Sequence, residues 1–179
     1  MTKPLLAEEI LHRTEKDQDL RLNRETYNNK EEFNLLLVEV DTENTAYMKQ
    51  VVSEYGWPTI SLVGKQAAHA AWLLVQHADL DQAFQQQCLT LMERVSEGEI
   101  KPVNIAYLTD RLLVAKNKPQ EYGTQFHKEH PGDTNWEPHP IRDRDNVDAR
   151  RQQKGMQTFQ ENYDEINQNH NYGTKASSL

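Results

Sequence analysis

Residues Ala106 to Phe126, AYLTDRLLVAKNKPQEYGTQF, constrain this chain more than any other stretch. Ile105 to Ala115 reads as a helix that is apolar on nearly every side, since Ala106, Tyr107, Leu108, Leu112, Leu113 and Val114 leave little purely polar arc. Asp110 and Arg111 nevertheless sit inside it. Adjacent helical residues point about 100° apart, so the two cannot pair face-on. Each needs a partner from another element, and Asp17, Arg21 and His77 qualify by sign. Buried charges must be paired or used, so either chemistry or a bridge that fixes helix packing is expected here. Lys116, Lys118 and Pro119 end the helix. Gly123 then permits a sharp turn in which Tyr122, Thr124 and Gln125 present polar side chains.

The 179 residues are enough for one ordinary domain with its own core. A net charge of -8 and the lack of any Lys/Arg block speak against a nucleic-acid partner, which needs clustered cations to displace counterions. The one cysteine, Cys88, forms no internal disulfide and is compatible with a reducing compartment. The first apolar run is too short for a signal-peptide core, and the runs near residues 67–75 and 112–115 are too short to span a bilayer. A cytoplasmic protein with no membrane contact is expected; a secretion route read by a receptor stays open.

Leu5, Leu6, Ile10, Leu11 and Leu20 recur at helical spacing, predicting an amphipathic first helix to about Asn23. It places Asp17 and Arg21 on one face as an i,i+4 pair. Phe33 to Val40 is apolar but of undecided type, and Asp41 reads as the N-cap of a helix over 42–55 that Gly56 ends. The next helix runs to Ala78, with Val63, Ala67, Ala70, Ala71, Leu74 and Ala78 on one face, His69 opposite, and His77 at the border of the stripe. There His77 is either a dipole-stabilised surface group or a site histidine. Asp79 or Asp81 starts a helix to about Val95, with Leu80, Phe84, Cys88, Leu91 and Val95 inward, so Cys88 reads as a small hydrophobe. A loop from His127 contains short extended pieces, and Asp145 caps a last helix to about Asn167.

His127-x-x-His130 with Asp133 and His139 has metal-compatible donors, but a His pair in a polar loop is weak grounds, and no metal or other cofactor is expected. Asp79 and Asp81 are better explained as caps than as Mg²⁺ ligands. No phosphate-binding glycine loop, zinc-protease motif or nucleophile elbow is present.

The strings Asp17-Gln18-x-x-Arg21, Gly56-Trp57-Pro58, Gln76-His77-Ala78-Asp79, Ala106-Tyr107-Leu108-Thr109-Asp110-Arg111 and Pro119-Gln120-x-Tyr122-Gly123-Thr124-Gln125 resemble an uncharacterised, widespread family of small bacterial domains of unknown function. A looser match runs through Ile141-x-Asp143 and Val147-Asp148-x-Arg150-Arg151 to Gly155-Met156. The resemblance implies that Asp17, Arg21, His77, Asp110, Arg111, Gln120, Tyr122 and Gln125 belong to one set.

Together these readings predict a mainly α-helical single domain over residues 1–167, a bundle of about six helices. A short extended or hairpin segment is expected near residues 123–141, and a flexible polar tail over 168–179. Arg21, His77, Asp110 and Arg111 are expected at a pocket closed by the Gln120–Gln125 turn, taking a small polar or anionic molecule or a peptide. In a hydrolase or group-transfer enzyme, His77 would act as acid/base and Asp110 would orient it or an arginine. Asp17, Arg21, Arg111, Gln120, Tyr122 and Gln125 would then bind the ligand. The alternative is a non-catalytic interaction domain, of immunity or adaptor type, whose Asp/Arg network is structural. Oligomeric state is left open.

Overall fold

The computed structural model describes residues 2–130 and 132–168. Most of the expected polar tail, from residue 169 on, lies outside the described residues. The protein is mainly α-helical, with eight α-helices and one two-stranded sheet among the described residues. The chain divides into two units, residues 1–101 and the part from Pro102 onward.

In the first unit α1 spans Pro4–Leu22, α2 Lys30–Tyr55, α3 Ile60–Val63, α4 Lys65–Gln76 and α5 Gln82–Met92. Helix α4 is the hub, packing on α1 and α2. Its alanines at 67, 68, 70 and 71 are buried with Trp72 and Leu74, and small residues let helix axes approach closely. Ile10 on α1 and Met48, Val51 and Val52 on α2 complete the packing.

The expected helix over 42–55 is longer than its sequence signal. Asn29 caps α2 by accepting from the N–H groups of Glu31 at 2.9 Å and Glu32 at 3.3 Å, and both glutamates sit in the favourable first turn. The undecided Phe33–Val40 run is therefore helical, and Asp41 is a mid-helix side chain rather than a cap. Asp81 does cap α5, accepting from the Phe84 N–H at 2.9 Å. Leu80, one residue before that cap, lies in the turn and is exposed instead of joining the inward face. His77 is buried, not a surface group.

Cys88 is fully buried on α5, and burial pushes its thiol up to about 12. It is therefore expected to stay unmodified by a disulfide-exchange reagent at mildly alkaline pH in the native chain, and to react stoichiometrically once denaturant is added. Rapid native labelling counted by mass spectrometry would contradict this placement.

In the second unit α6 spans Pro102–Ala115, β1 Phe126–His127, β2 Glu137–Pro138, α7 Val147–Gln153 and α8 Phe159–Gln168. Asn117 takes the left-handed conformation after α6, with φ 54°, and Pro119 follows. The strands pair antiparallel, Phe126 with Pro138 and His127 with Glu137, inside the segment expected to be extended. Phe126, Val147, Phe159 and Ile166 form a small core with Trp136, Ile141 and Tyr163 at its edge.

The single last helix expected over 145–167 is two helices. Gly155, at φ 67°, breaks the chain after α7. Thr158 and Glu161 then form a capping box that starts α8, the Thr158 N–H donating to Glu161 at 2.9 Å and the Glu161 N–H to Thr158 Oγ1 at 3.3 Å. No described helix is long and apolar enough to cross a membrane.

Candidate functional site

The first unit gathers four ionisable side chains from three helices. Asp17 and Arg21 sit one turn apart on α1, Asp41 projects from the middle of α2, and His77 is the C-terminal cap of α4. Arg21 Nε donates to Asp17 Oδ1 at 3.1 Å, as the i,i+4 spacing predicts, while its Nη2 donates to Asp41 Oδ1. His77 Nδ1 stands 3.0 Å from Asp17 Oδ2 and 3.1 Å from Oδ1, so the ring donates to the carboxylate. Gln18 Nε2 adds a bond to Asp17 Oδ2 at 2.8 Å.

Asp17 is fully buried and His77 is 6% exposed, which makes this a low-dielectric cluster. Burial by itself would raise the Asp17 carboxyl, but the His77 hydrogen bond, the His77 charge and Arg21 hold it below the ordinary range. Asp41 goes the other way: burial pushes it up to about 6 against the pull of Arg21. Two carboxylates sharing one guanidinium are thus driven apart. A cleft of about 320 Å³ opens beside them, lined by Asp41, Thr42, Thr45, Ala46, Lys49, His77, Ala78, Leu80 and Asp81. Three amides within three residues of the cluster in sequence each keep one buried atom without a hydrogen-bond partner: Gln18 Oε1, Asn44 Nδ2 and Gln76 Oε1.

In the second unit Asp110 meets the turn that follows its own helix. Its carboxylate accepts from the N–H groups of Glu121 at 2.7 Å, Tyr122 at 3.1 Å and Thr124 at 3.0 Å, and from the Thr124 hydroxyl at 3.0 Å. Burial pushes Asp110 up from the ordinary range, and these hydrogen bonds pull against that rise. The turn's carbonyls are held from the other side. Arg151 Nη1 donates to Tyr122 O at 2.7 Å, and Arg150 Nε to Glu121 O at 2.7 Å. Gln120 locks the loop, its Nε2 donating to the carbonyls of Gln125 and His139 and its Oε1 accepting from the Gln125 N–H at 2.9 Å.

Of the expected site residues, then, Asp17, Arg21 and His77 meet in the first unit, and Asp110, Gln120, Tyr122 and Gln125 in the second; Arg111 is half-buried on α6 beside Asp110. The partner that orients His77 is Asp17. The hydrogen bonds Asp110 accepts come from backbone N–H groups and a hydroxyl of the turn, not from the side chain of another helix. Arg21 is engaged by two carboxylates instead of standing ready to fork an anion. Asp41 was missed because it passed for a cap; the true cap, Asn29 with two glutamates behind it, was the available signal. In the hairpin, His127 and His139 stack with ring centroids 4.4 Å apart, and the His130 N–H donates to Asp133. Among the described residues, the trio with potential metal ligands close together lies elsewhere, at Asp17, Asp41 and His77.

No curated protein and no solved structure gives a significant match to this sequence. The family model described as a family of unknown function (DUF6624) matches residues 4–177, and with that extent of match the chain belongs to that family.

Proposed function

We propose that the first unit binds a small polar molecule in the cleft beside His77 and acts on it as a hydrolase or group-transfer enzyme. One observation carries this reading: a buried histidine, held by a fully buried aspartate, forms part of the wall of an open cleft together with Asp41. A bridge that served packing alone would have no need to border such a space. The volume is at the small end of the range of ligand sites, about 300–1,000 Å³. Asp17 and Arg21 are positioning residues, and His77 and Asp41 are the groups that meet the ligand.

A thermal-shift screen of nucleotides, sugar phosphates, amino acids and short peptides on the full chain tests the reading. Ala46 is exposed and lines the cleft, so Ala46→Phe fills the space without touching the core. A true ligand at about 100 times its Kd stabilises by about 2.7 kcal/mol, a rise of about 5 °C or more in a chain of this size. That rise should vanish in Ala46→Phe and in His77→Gln and persist in Arg142→Ala. A library without a hit, or hits indifferent to Ala46→Phe, would overturn it. The second reading, a protein-interaction domain, draws on Leu35 and Val38, exposed one turn apart on α2.

A further inference from the structure

We infer that Asp17, Asp41 and His77 form a binding site for one divalent first-row transition-metal ion, of the Zn²⁺ or Mn²⁺ kind, open to the cleft. The inference rests on the proposed function only in treating that cleft as the ligand's place; the site itself stands on its donors. One atom from each of the three side chains lies within 4.8 Å of both others. Two donors in tetrahedral positions with bonds of about 2.1 Å stand about 3.4 Å apart, so closing the widest gap by up to about 1.4 Å, shared between two side chains, completes the set. One imidazole and two carboxylates, with no thiolate, suit borderline and hard divalent ions and not copper(I).

Charge gives the second reason. Two carboxylates and one imidazole converge with a single guanidinium in a cluster whose Asp17 is fully buried. A divalent cation gives both carboxylates a further positive partner and, beside Lys49, offers one to an anionic ligand in the cleft, because Arg21 already bonds both carboxylates.

The surroundings have the form of an outer coordination shell. Arg21 holds the Oδ1 atoms of both aspartates, and Gln18 Nε2 binds Asp17 Oδ2, which orients the carboxylates as second-shell partners do. Gln18 Oε1, on the same amide that touches Asp17, is shut off from solvent with no donor. An acceptor so placed is suited to a metal-bound water. With three protein ligands the ion keeps open positions, and His77 and Asp41 both face the cleft from which water or a substrate would fill them. The His77 nitrogen that binds the ion does so without its proton.

The test uses the full chain without an affinity tag, stripped by a chelator and then titrated with ZnCl₂ or MnCl₂ in a calorimeter. The expected result is one ion per chain and a higher Tm. Asp41→Asn and His77→Gln are expected to weaken binding by about tenfold or more, by analogy with the 10–100-fold cost of disturbing a metal site. The double variant His127→Ala/His139→Ala should bind as wild type does. X-ray absorption of the wild-type zinc form needs no variant, and should show a single imidazole among oxygen donors. The inference is overturned by the absence of saturable binding, by two imidazoles on the ion, or by binding that survives Asp41→Asn but not the hairpin variant. Loss of metal binding with cleft-dependent ligand shifts intact removes the ion and leaves the proposed function standing; loss of both removes both.

Discussion

Asp110→Ala is expected to destabilise the chain by about 3–5 kcal/mol, the cost of removing one partner from a buried charged network. The reason is local and countable. The carboxylate is fully buried and serves three backbone N–H groups and one hydroxyl within a turn of four residues. Without it those donors have no acceptor, and each unsatisfied buried donor costs about 1–3 kcal/mol. Asp110→Asn keeps the shape but turns an amide N–H₂ toward N–H donors, so it should lose most of the same stability. Denaturant unfolding measures the total. Amide hydrogen exchange locates it, with Glu121, Tyr122 and Thr124 losing protection before the rest of the unit. Arg142→Ala, which removes an exposed arginine from Glu121, is the comparison and should cost under about 1 kcal/mol. An Asp110 variant within that margin would show that the turn does not depend on its carboxylate.

Gly123→Ala is the second large effect. Gly123 sits at φ 68°, where an L side chain is strained, and a Cβ there would lie 2.7 Å from Phe159 Cδ2 and 2.9 Å from Ile141 Cδ1. The conformation costs about 1–2 kcal/mol and the overpacking about 1–3 kcal/mol. Phe159 cannot swing away cheaply, because it stacks on Phe126 at 6.2 Å and belongs to the unit's core. Gly155→Ala separates the two causes: it has nearly the same φ, 67°, with open space around it. It should lose only the conformational part. Equal melting shifts for the two variants would refute the close contact between Gly123 and Phe159.

Both effects arise in the stretch that stood out first in the sequence, and they show which kind of inference carried over. The i,i+4 spacing of Asp17 and Arg21 foretold their ion pair, because helix geometry alone brings such residues together. That Asp110 needs a partner was also legible, since the apolar wheel around it leaves a charge no solvent. Who the partner is was not. Side-chain signs suggested another helix, whereas the hydrogen bonds come mostly from backbone N–H groups, which every residue type carries and no sequence pattern marks. Gln120 shows the same substitution of roles. A residue that reads as a recognition group is turned inward to close its own loop.

By itself the sequence determined the mainly helical class, a short extended segment within residues 123–141, the inward face of Cys88 and the residues with chemistry to offer, all properties of local periodicity and composition. Only the tertiary structure decided that His77 meets Asp17 across 60 positions of chain, that Asp41 joins them from the middle of a helix, and that Asp110, Gln120 and Thr124 hold the turn of their own stretch. A helical wheel fixes which face a residue occupies, but the distance between two faces depends on how the helices cross, and that is set by packing far from either residue.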